Sequence, residues 1–346
     1  MRPATEEELA RWDELVAANP DGGNVLQTRA WGDFKGRWGW QPHRYVYETK
    51  AGLVAAQWLV RSVPGQGRVW YCPKGPGVTT PAAYAEVVRQ TAEAGLGGVL
   101  ARFESEVLDD EADKGALAEL GLVRANRDPG SKSTIFVDLD QGEEGLLASF
   151  SQSARRNIRK AQAGDVSVER VEASTANLDT MFELMKATEA RAHYGLRPKV
   201  YFQDYWKAQI EAGQAQLFLA WHDGEVLAGL FATYLGKRSW YKDGGSFDIK
   251  RELNASYLIQ WEVMRWLMAH GVESYDMLGT PNRDKVGTGD PRDGLYSFKS
   301  KFNPEITEFI GCYDLPLSSL KYKAWRKVGE RVAARLAGHR PEKFLY

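Results

Sequence analysis

One pattern in this chain is written twice. The stretch E-T-K-A-G-L-V-A-A-Q-W-L-V at 48–60 sets a turn glycine between two apolar runs, and W-H-D-G-E-V-L-A-G-L-F-A-T at 221–233 does the same. Gly52 and Gly224 lie 172 residues apart. Each copy then passes through an aromatic strand end, Trp70-Tyr71 or Trp240-Tyr241, into a long helix. After Gly97-Gly98 or His270-Gly271 each enters a further strand, V-L-A-R-F-E or V-E-S-Y-D-M. A repeat of this length predicts two homologous α/β units. Each has a hairpin of long strands ahead of its helix, so mixed rather than all-parallel sheets are expected.

The period of apolar residues places the elements. Thr5–Ala18 reads as a helix with Thr5 at its N-cap and Glu8 three residues on, followed by a helix at Ala30–Arg37. Strands follow at His43–Glu48, Leu53–Ser62 and Arg68–Tyr71, then a helix at Pro81–Ala94, a strand at Gly98–Glu104 and a helix at Asp110–Leu120. Thr134–Leu139 reads as the strand that closes the first unit. Leu317–Ala337 reads as a basic amphipathic helix with Leu320, Trp325, Val328 and Val332 on its apolar stripe, packing back on the first unit. The expected domains are 1–150 together with 317–346, and 151–316. A chain of 346 residues exceeds what one core usually supports, which agrees with two domains. The element order matches an acyltransferase fold of the acetyltransferase type.

A formal net charge of −1 speaks against a nucleic-acid coat over the whole surface, so phosphate recognition has to be local. Cys72 and Cys312 are the only cysteines and supply neither a disulfide framework nor a metal knuckle, the pattern of a reduced, cytoplasmic protein. The first ten residues lack an apolar signal region, and no run approaches the ~18 apolar residues of a membrane span. Membrane contact is expected to be peripheral at most. There is no phosphate-binding G-x-x-x-x-G-K-S/T loop, Rossmann fingerprint, G-x-S-x-G elbow or H-E-x-x-H. His43, His193, His222, His270 and His339 make no ligand spacing, so no metal is expected. Neither unit carries the Q/R-x-x-G-x-G/A turn that would hold the pyrophosphate of coenzyme A, which implies another kind of acyl donor.

Four stretches can carry chemistry. In D-G-L-Y-S-F-K-S-K-F, 293–302, a helix at about 100° per residue puts Leu295, Phe298 and Phe302 on one face and Lys299 at its border beside Tyr296. A lysine among rings can hold a compact, partly desolvated ammonium that stabilises developing negative charge; a snorkelling surface lysine is the other reading. S-A-R-R-N-I-R-K-A, 153–161, gathers Arg155, Arg156, Arg159 and Lys160 within six residues, as a grip for RNA or sugar-diphosphate phosphates or as a solvated interdomain helix. Q-T-R-A-W-G-D-F-K-G-R-W-G-W, 27–40, sets Trp31, Lys35 and Trp38 at helical spacing beside Gly39-Trp40, a platform for a sugar or nucleotide or else core packing. H-Y-G-L-R-P-K-V-Y, 193–201, reads as a loop between helices that exposes Arg197, Lys199 and Tyr201.

These stretches, with Y-K-D-G-G-S at 241–246, A-S-Y-L-I-Q-W-E-V-M-R-W at 255–266 and I-G-C-Y-D-L-P-L-S at 310–318, resemble the FemABX family of non-ribosomal peptidyltransferases. They run in the family's order from about residue 24 to 323. The resemblance implies two tandem acetyltransferase-like domains, the first binding the acceptor and the second holding the tRNA end. It implies transfer of an amino acid from aminoacyl-tRNA to the side-chain amine at the third position of a peptidoglycan stem, with no cofactor beyond the tRNA co-substrate and no metal. No coiled-coil arm is present, so the chain looks like the compact FemX type. That type takes UDP-MurNAc-pentapeptide, whereas larger members take lipid II. By the same resemblance Lys35, Trp38, Arg197 and Tyr201 hold the acceptor. Lys299, Phe298, Tyr241 and Glu104 carry the transfer, although the family's usual acid-Pro pair reads Glu104-Ser105 here. Arg155, Arg156, Arg159 and Lys160 are expected to contact the tRNA, and the enzyme is expected to act as a monomer in a bacterial cytoplasm. An acyl-CoA-dependent N-acetyltransferase and a non-catalytic muropeptide-binding protein are the alternatives.

Overall fold

The computed structural model describes residues 1–109, 117, 119–192 and 195–333, and the chain divides into two units. The first comprises Met1–Lys132 and Glu308–Tyr346, the second Ser133–Thr307.

The sheet of the first unit runs in the order Arg2–Pro3, Gln41–Thr49, Gly52–Val63, Gly67–Cys72, Leu100–Leu108, Thr307–Pro316, Val123–Arg124. Gly67–Cys72 and Leu100–Leu108 pair parallel across the helix Pro81–Glu93, and the neighbouring pairs are antiparallel. The sheet of the second unit runs Phe136–Asp138, Ser274–Asp276, Arg238–Ser246, Glu225–Leu235, Ala215–His222, Ser167–Val171. Its parallel pair, Arg238–Ser246 with Ser274–Asp276, is joined through the helix Ala255–Ala269. Both units thus share a three-strand meander, a crossover helix and a parallel fourth strand, as the repeat predicts. The second hairpin closes through Asp223 and Gly224 at φ 50 and 75, two successive left-handed residues that match strand twist in a two-residue turn.

The closing strands depart from the expectation. Phe136–Asp138 pairs with Ser274–Asp276, so it belongs to the second sheet and does not close the first. Thr307–Pro316 lies along Leu100–Leu108 and completes the first sheet instead. The boundaries accordingly fall at 132/133 and 307/308, not at 150/151 and 316/317. The expected helix Thr5–Ala18 is two short ones, Glu6–Ala10 and Trp12–Ala17, broken at Arg11; the Thr5/Glu8 capping box is present. Most of the helix expected at Asp110–Leu120 lies outside the described residues, as does 334–337 of the C-terminal helix.

Aromatic side chains fill both cores. In the first, Phe103 meets the edge of Trp58 at 5.0 Å and of Tyr84 at 5.8 Å. In the second, Phe150 meets Trp261 and Phe302 edge-on at 6.0 and 5.1 Å. Such pairs add about 0.5–1.5 kcal/mol each beyond the area they bury. The C-terminal helix begins at Ser319–Ala324 and continues through one wide turn at Trp325–Gly329. It buries Tyr322, Trp325 and Ala333 against Val69, Val99 and Leu100, while Leu320, Val328 and Val332, expected on the buried stripe, stay exposed. Tyr322, Trp325, Gly329 and Ala333 carry the buried face, so Trp325 alone of the expected stripe packs inward. Arg102, fully buried in the first sheet, holds Asp314 through two hydrogen bonds of 2.7 and 2.9 Å and reaches Glu330 of that helix at 2.9 Å.

Candidate active site and nucleic-acid surface

In the second unit Lys299 ends the helix Asp293–Lys299 and is buried, 5% exposed. Its ammonium donates to the carbonyl of Leu278 and, at 3.0 Å, to that of Gly279. Leu278 and Gly279 are successive left-handed residues, φ 52 and 42. A leucine in that region costs of order 1–3 kcal/mol and persists only where its surroundings hold it. Asp276 supplies the hold: its Oδ1 accepts the Leu278 N–H at 2.7 Å and the Thr134 hydroxyl. Burial lowers the Lys299 pKa to about 8, against an opposing pull from the Asp276 carboxylate. Lysine and partners together form a buried cation that can also give up a proton near neutrality. Leu295, expected on the buried face, is 43% exposed because the helix makes only two turns and its last turn alone reaches the core.

Tyr241 faces this ammonium, with its ring centroid 5.7 Å from Nζ. Strand alternation would put Tyr241 and Asp243 on one face. The register shifts between them, Tyr241 opposing Ala232 and Asp243 opposing Phe231, which leaves Lys242 as the extra residue of a β-bulge. Tyr241 therefore packs on the face that carries Ala232 and Phe302, while Asp243 turns to the other face and accepts from Trp206 Nε1 at 2.9 Å. Gly244 makes room for the tyrosine, since a Cβ there would lie 2.1 Å from Tyr241 Oη. Neither the bulge nor the role of Gly244 is visible in residue types, although the G-G of Y-K-D-G-G-S marks a close approach.

Phe298 packs edge-on against Tyr257 at 5.1 Å and lines a cavity of about 300 Å³. The cavity lies at the start of the helix Ala255–Ala269, with Lys250, Arg251, Asn254 and Ser256 in its wall. Asn254, at φ 58, opens that helix without a side-chain cap. Cations, aromatic rings and a helix start suit an anionic ligand that has a flat ring.

Arg197 stacks on Tyr201, 4.6 Å from guanidinium carbon to ring centroid. Tyr201 is buried in the first turn of the helix Lys199–Glu211 rather than exposed in a loop, and Lys199 pairs with Asp179 at 2.5 Å. His193 and Tyr194 lie outside the described residues. Arg155, Arg156, Arg159 and Lys160 sit on the helix Gln152–Ala163, capped by Ser151. Arg156, Arg159 and Lys160 are exposed, whereas Arg155 is half-buried and reaches the Ala148 carbonyl at 3.4 Å.

In the first unit Lys35 is 2% exposed, with its ammonium 5.6 Å from the ring centroids of both Trp31 and Trp40. The chain reverses at Gly39, φ 84, and brings the Trp40 N–H back to the Lys35 carbonyl at 3.1 Å. Trp40 was the ring partner missed by helical spacing. Trp38 is the helix C-cap and is half-buried, and its carbonyl accepts from Arg61. Glu104 is buried, with Tyr71 donating to one carboxylate oxygen and Lys74 3.4 Å from the other.

The sequence profile of the FemAB family matches residues 131–223 and 207–329, more than half of the chain. The chain belongs to the FemAB family. Among its relatives, the UDP-N-acetylmuramoylpentapeptide-lysine N(6)-alanyltransferase of Weissella viridescens is 26% identical over 332 residues, 91% of this chain and 95% of that one. The lipid II:glycine glycyltransferase of Staphylococcus aureus (strain MRSA252) is 24% identical over 410 aligned positions, 92% of this chain and 94% of that one. A crystal structure of FemX superposes with a TM-score of 0.82 at 21% identity, covering 94% of this chain and all of that one, and establishes the shared fold.

Proposed function

We propose that this protein is an aminoacyltransferase that moves an amino acid from aminoacyl-tRNA to the side-chain amine of the third stem residue of a peptidoglycan precursor, building the interpeptide bridge. The observation that carries the reading is the buried Lys299 ammonium, clasped by two carbonyls and faced by Tyr241, in a chain of this family. In the reaction a neutral amine attacks the ester carbonyl that links the amino acid to the tRNA 3′ ribose. A C–N bond forms, the C–O bond to ribose breaks, the amine loses a proton and the ribose oxygen gains one. Lys299 stabilises the oxyanion and, with a pKa lowered to about 8, protonates the departing ribose oxygen. Tyr241 holds the ammonium in place. The cavity beside Phe298 suits the terminal adenosine and its phosphate, and the cations at 155–160 suit the acceptor stem. In the first unit, Lys35 between two indoles suits an acceptor phosphate, with Trp38 nearby in sequence, and Glu104 is the candidate proton acceptor. Arg197 and Tyr201 are further candidate acceptor contacts.

The alignment with the staphylococcal relative spans 410 positions, more than the 346 residues of this chain, so that relative carries insertions here absent. This supports the soluble UDP-MurNAc-pentapeptide as acceptor. Incubation of the purified protein with that acceptor and a charged tRNA, followed by mass spectrometry, is expected to yield the extended muropeptide. Product formed from acetyl-CoA in place of tRNA, or acceptor binding without product, would overturn the proposal.

A further inference from the structure

The outer surface of the C-terminal helix is the least explained part of the first unit. Leu320 is 81% exposed, Val328 60% and Val332 44%. All three are exposed, whereas Tyr322, Trp325 and Ala333 of the same segment pack against the first sheet. Lys321, Lys323, Arg326, Lys327 and Arg331 surround them, and all five are exposed. Glu330, the acid of this stretch, is buried against Arg102 at 2.9 Å, so the helix offers cations and apolar groups to its surroundings and no carboxylate of its own. Over the whole chain the charges nearly cancel, which makes this concentration local.

We propose that this face docks the protein on the surface of an anionic phospholipid bilayer. Leucine and valine side chains enter the boundary between headgroups and acyl chains while the lysines and arginines meet lipid phosphates, the division of labour of an interfacial helix. Other occupants fit less well. RNA would satisfy the cations but leaves Leu320, Val328 and Val332 in water. A second copy of the same face would set like charges against each other. Among the described residues no helix is long and apolar enough to cross a membrane, so the association is peripheral. None of these residues belongs to the proposed transfer site, and the inference stands independently of it.

The test is co-sedimentation of the full-length protein with vesicles of phosphatidylcholine, with and without phosphatidylglycerol. Binding is expected to need the anionic lipid and to weaken with salt, and each neutralised cation among Lys321→Gln, Lys323→Gln and Lys327→Gln should weaken it about fivefold. Leu320→Asp with Val328→Asp should abolish it while the unfolding midpoint and transfer to a soluble acceptor stay unchanged. Equal binding to neutral and anionic vesicles, or undiminished binding of the Asp variant, would overturn the proposal. So would a variant that keeps vesicle binding and loses tRNA affinity or self-association instead.

Discussion

Replacing Lys299 by methionine separates a catalytic role from a structural one. The fall in its pKa from 10.5 to about 8 corresponds to about 3 kcal/mol of cost for keeping the ammonium buried at neutral pH. Methionine relieves that cost but loses charged hydrogen bonds to Leu278 and Gly279, each worth about 1.5–3 kcal/mol. Together the changes leave a net loss of at most about 3 kcal/mol in the unfolding free energy at pH 7. Transfer should suffer far more, by on the order of 10²–10³ in the single-turnover rate, the usual loss when one donor to an oxyanion is removed. The pH dependence supplies a second check. Below pH 8 the lysine is charged in both folded and unfolded chains and its cost is fully present. Between pH 8 and 10.5 the unfolded chain binds more protons, so the wild type gains stability relative to Lys299→Met as pH rises through that window. The wild-type rate should fall over the same limb as the ammonium is lost. Urea unfolding at several pH values, paired with quenched-flow measurements of transfer at saturating acceptor, reads all three quantities. A variant with a near-normal rate, or one whose loss appears only as weaker acceptor binding, would refute the assignment.

Gly244→Ala should displace the Tyr241 ring and lower the transfer rate by on the order of 10²-fold while the fold persists, measured by single-turnover kinetics and thermal unfolding. Lys35→Met and, separately, Arg197→Met should raise the Kd for the nucleotide-linked acceptor with little change in the single-turnover rate; calorimetry and kinetics distinguish the two effects. Neutralising Arg156, Arg159 and Lys160 should flatten the salt dependence of tRNA binding, reducing the log–log slope by roughly 2–3, and an unchanged slope would remove tRNA from this helix. Arg102→Leu leaves Asp314 and Glu330 buried without their cation and should cost about 3–5 kcal/mol in urea unfolding, with transfer by the remaining folded protein intact.

Much of the fold could be read from local pattern. The turn at Asp223-Gly224, the Thr5 cap with Glu8 and the hairpins on either side of Gly52 and Gly224 are decided by residues adjacent in sequence, and the structure has them where the spacing puts them. The partner of Phe136–Asp138 could not be read this way, because a short strand carries no label for which sheet it joins. The same limit applies to Lys299. Its aromatic neighbours were legible, but its carbonyl clasp comes from Leu278 and Gly279, whose left-handed backbone depends on Asp276 and Thr134. Spacing pointed to Trp38 as a neighbour of Lys35, where a reversal at Gly39 substitutes Trp40. Leu320, Val328 and Val332 fit an apolar stripe on an ideal helix, but the face that packs is the one carrying Tyr322, Trp325 and Ala333, which spacing alone does not single out.

The strand Thr307–Pro316 has a consequence for synthesis on the ribosome. Phe309 pairs with Leu108, 201 residues earlier (309 − 108), so the first unit begins to emerge long before its sheet can be finished. Residues 133–307 form the second unit without interruption and can fold as soon as they clear the exit tunnel. Meanwhile Leu100–Leu108, destined for nearly complete burial, presents an unpaired strand edge on the nascent chain. The half made first is completed last, and a message truncated before codon 308 would yield an intact second unit tethered to an aggregation-prone remnant.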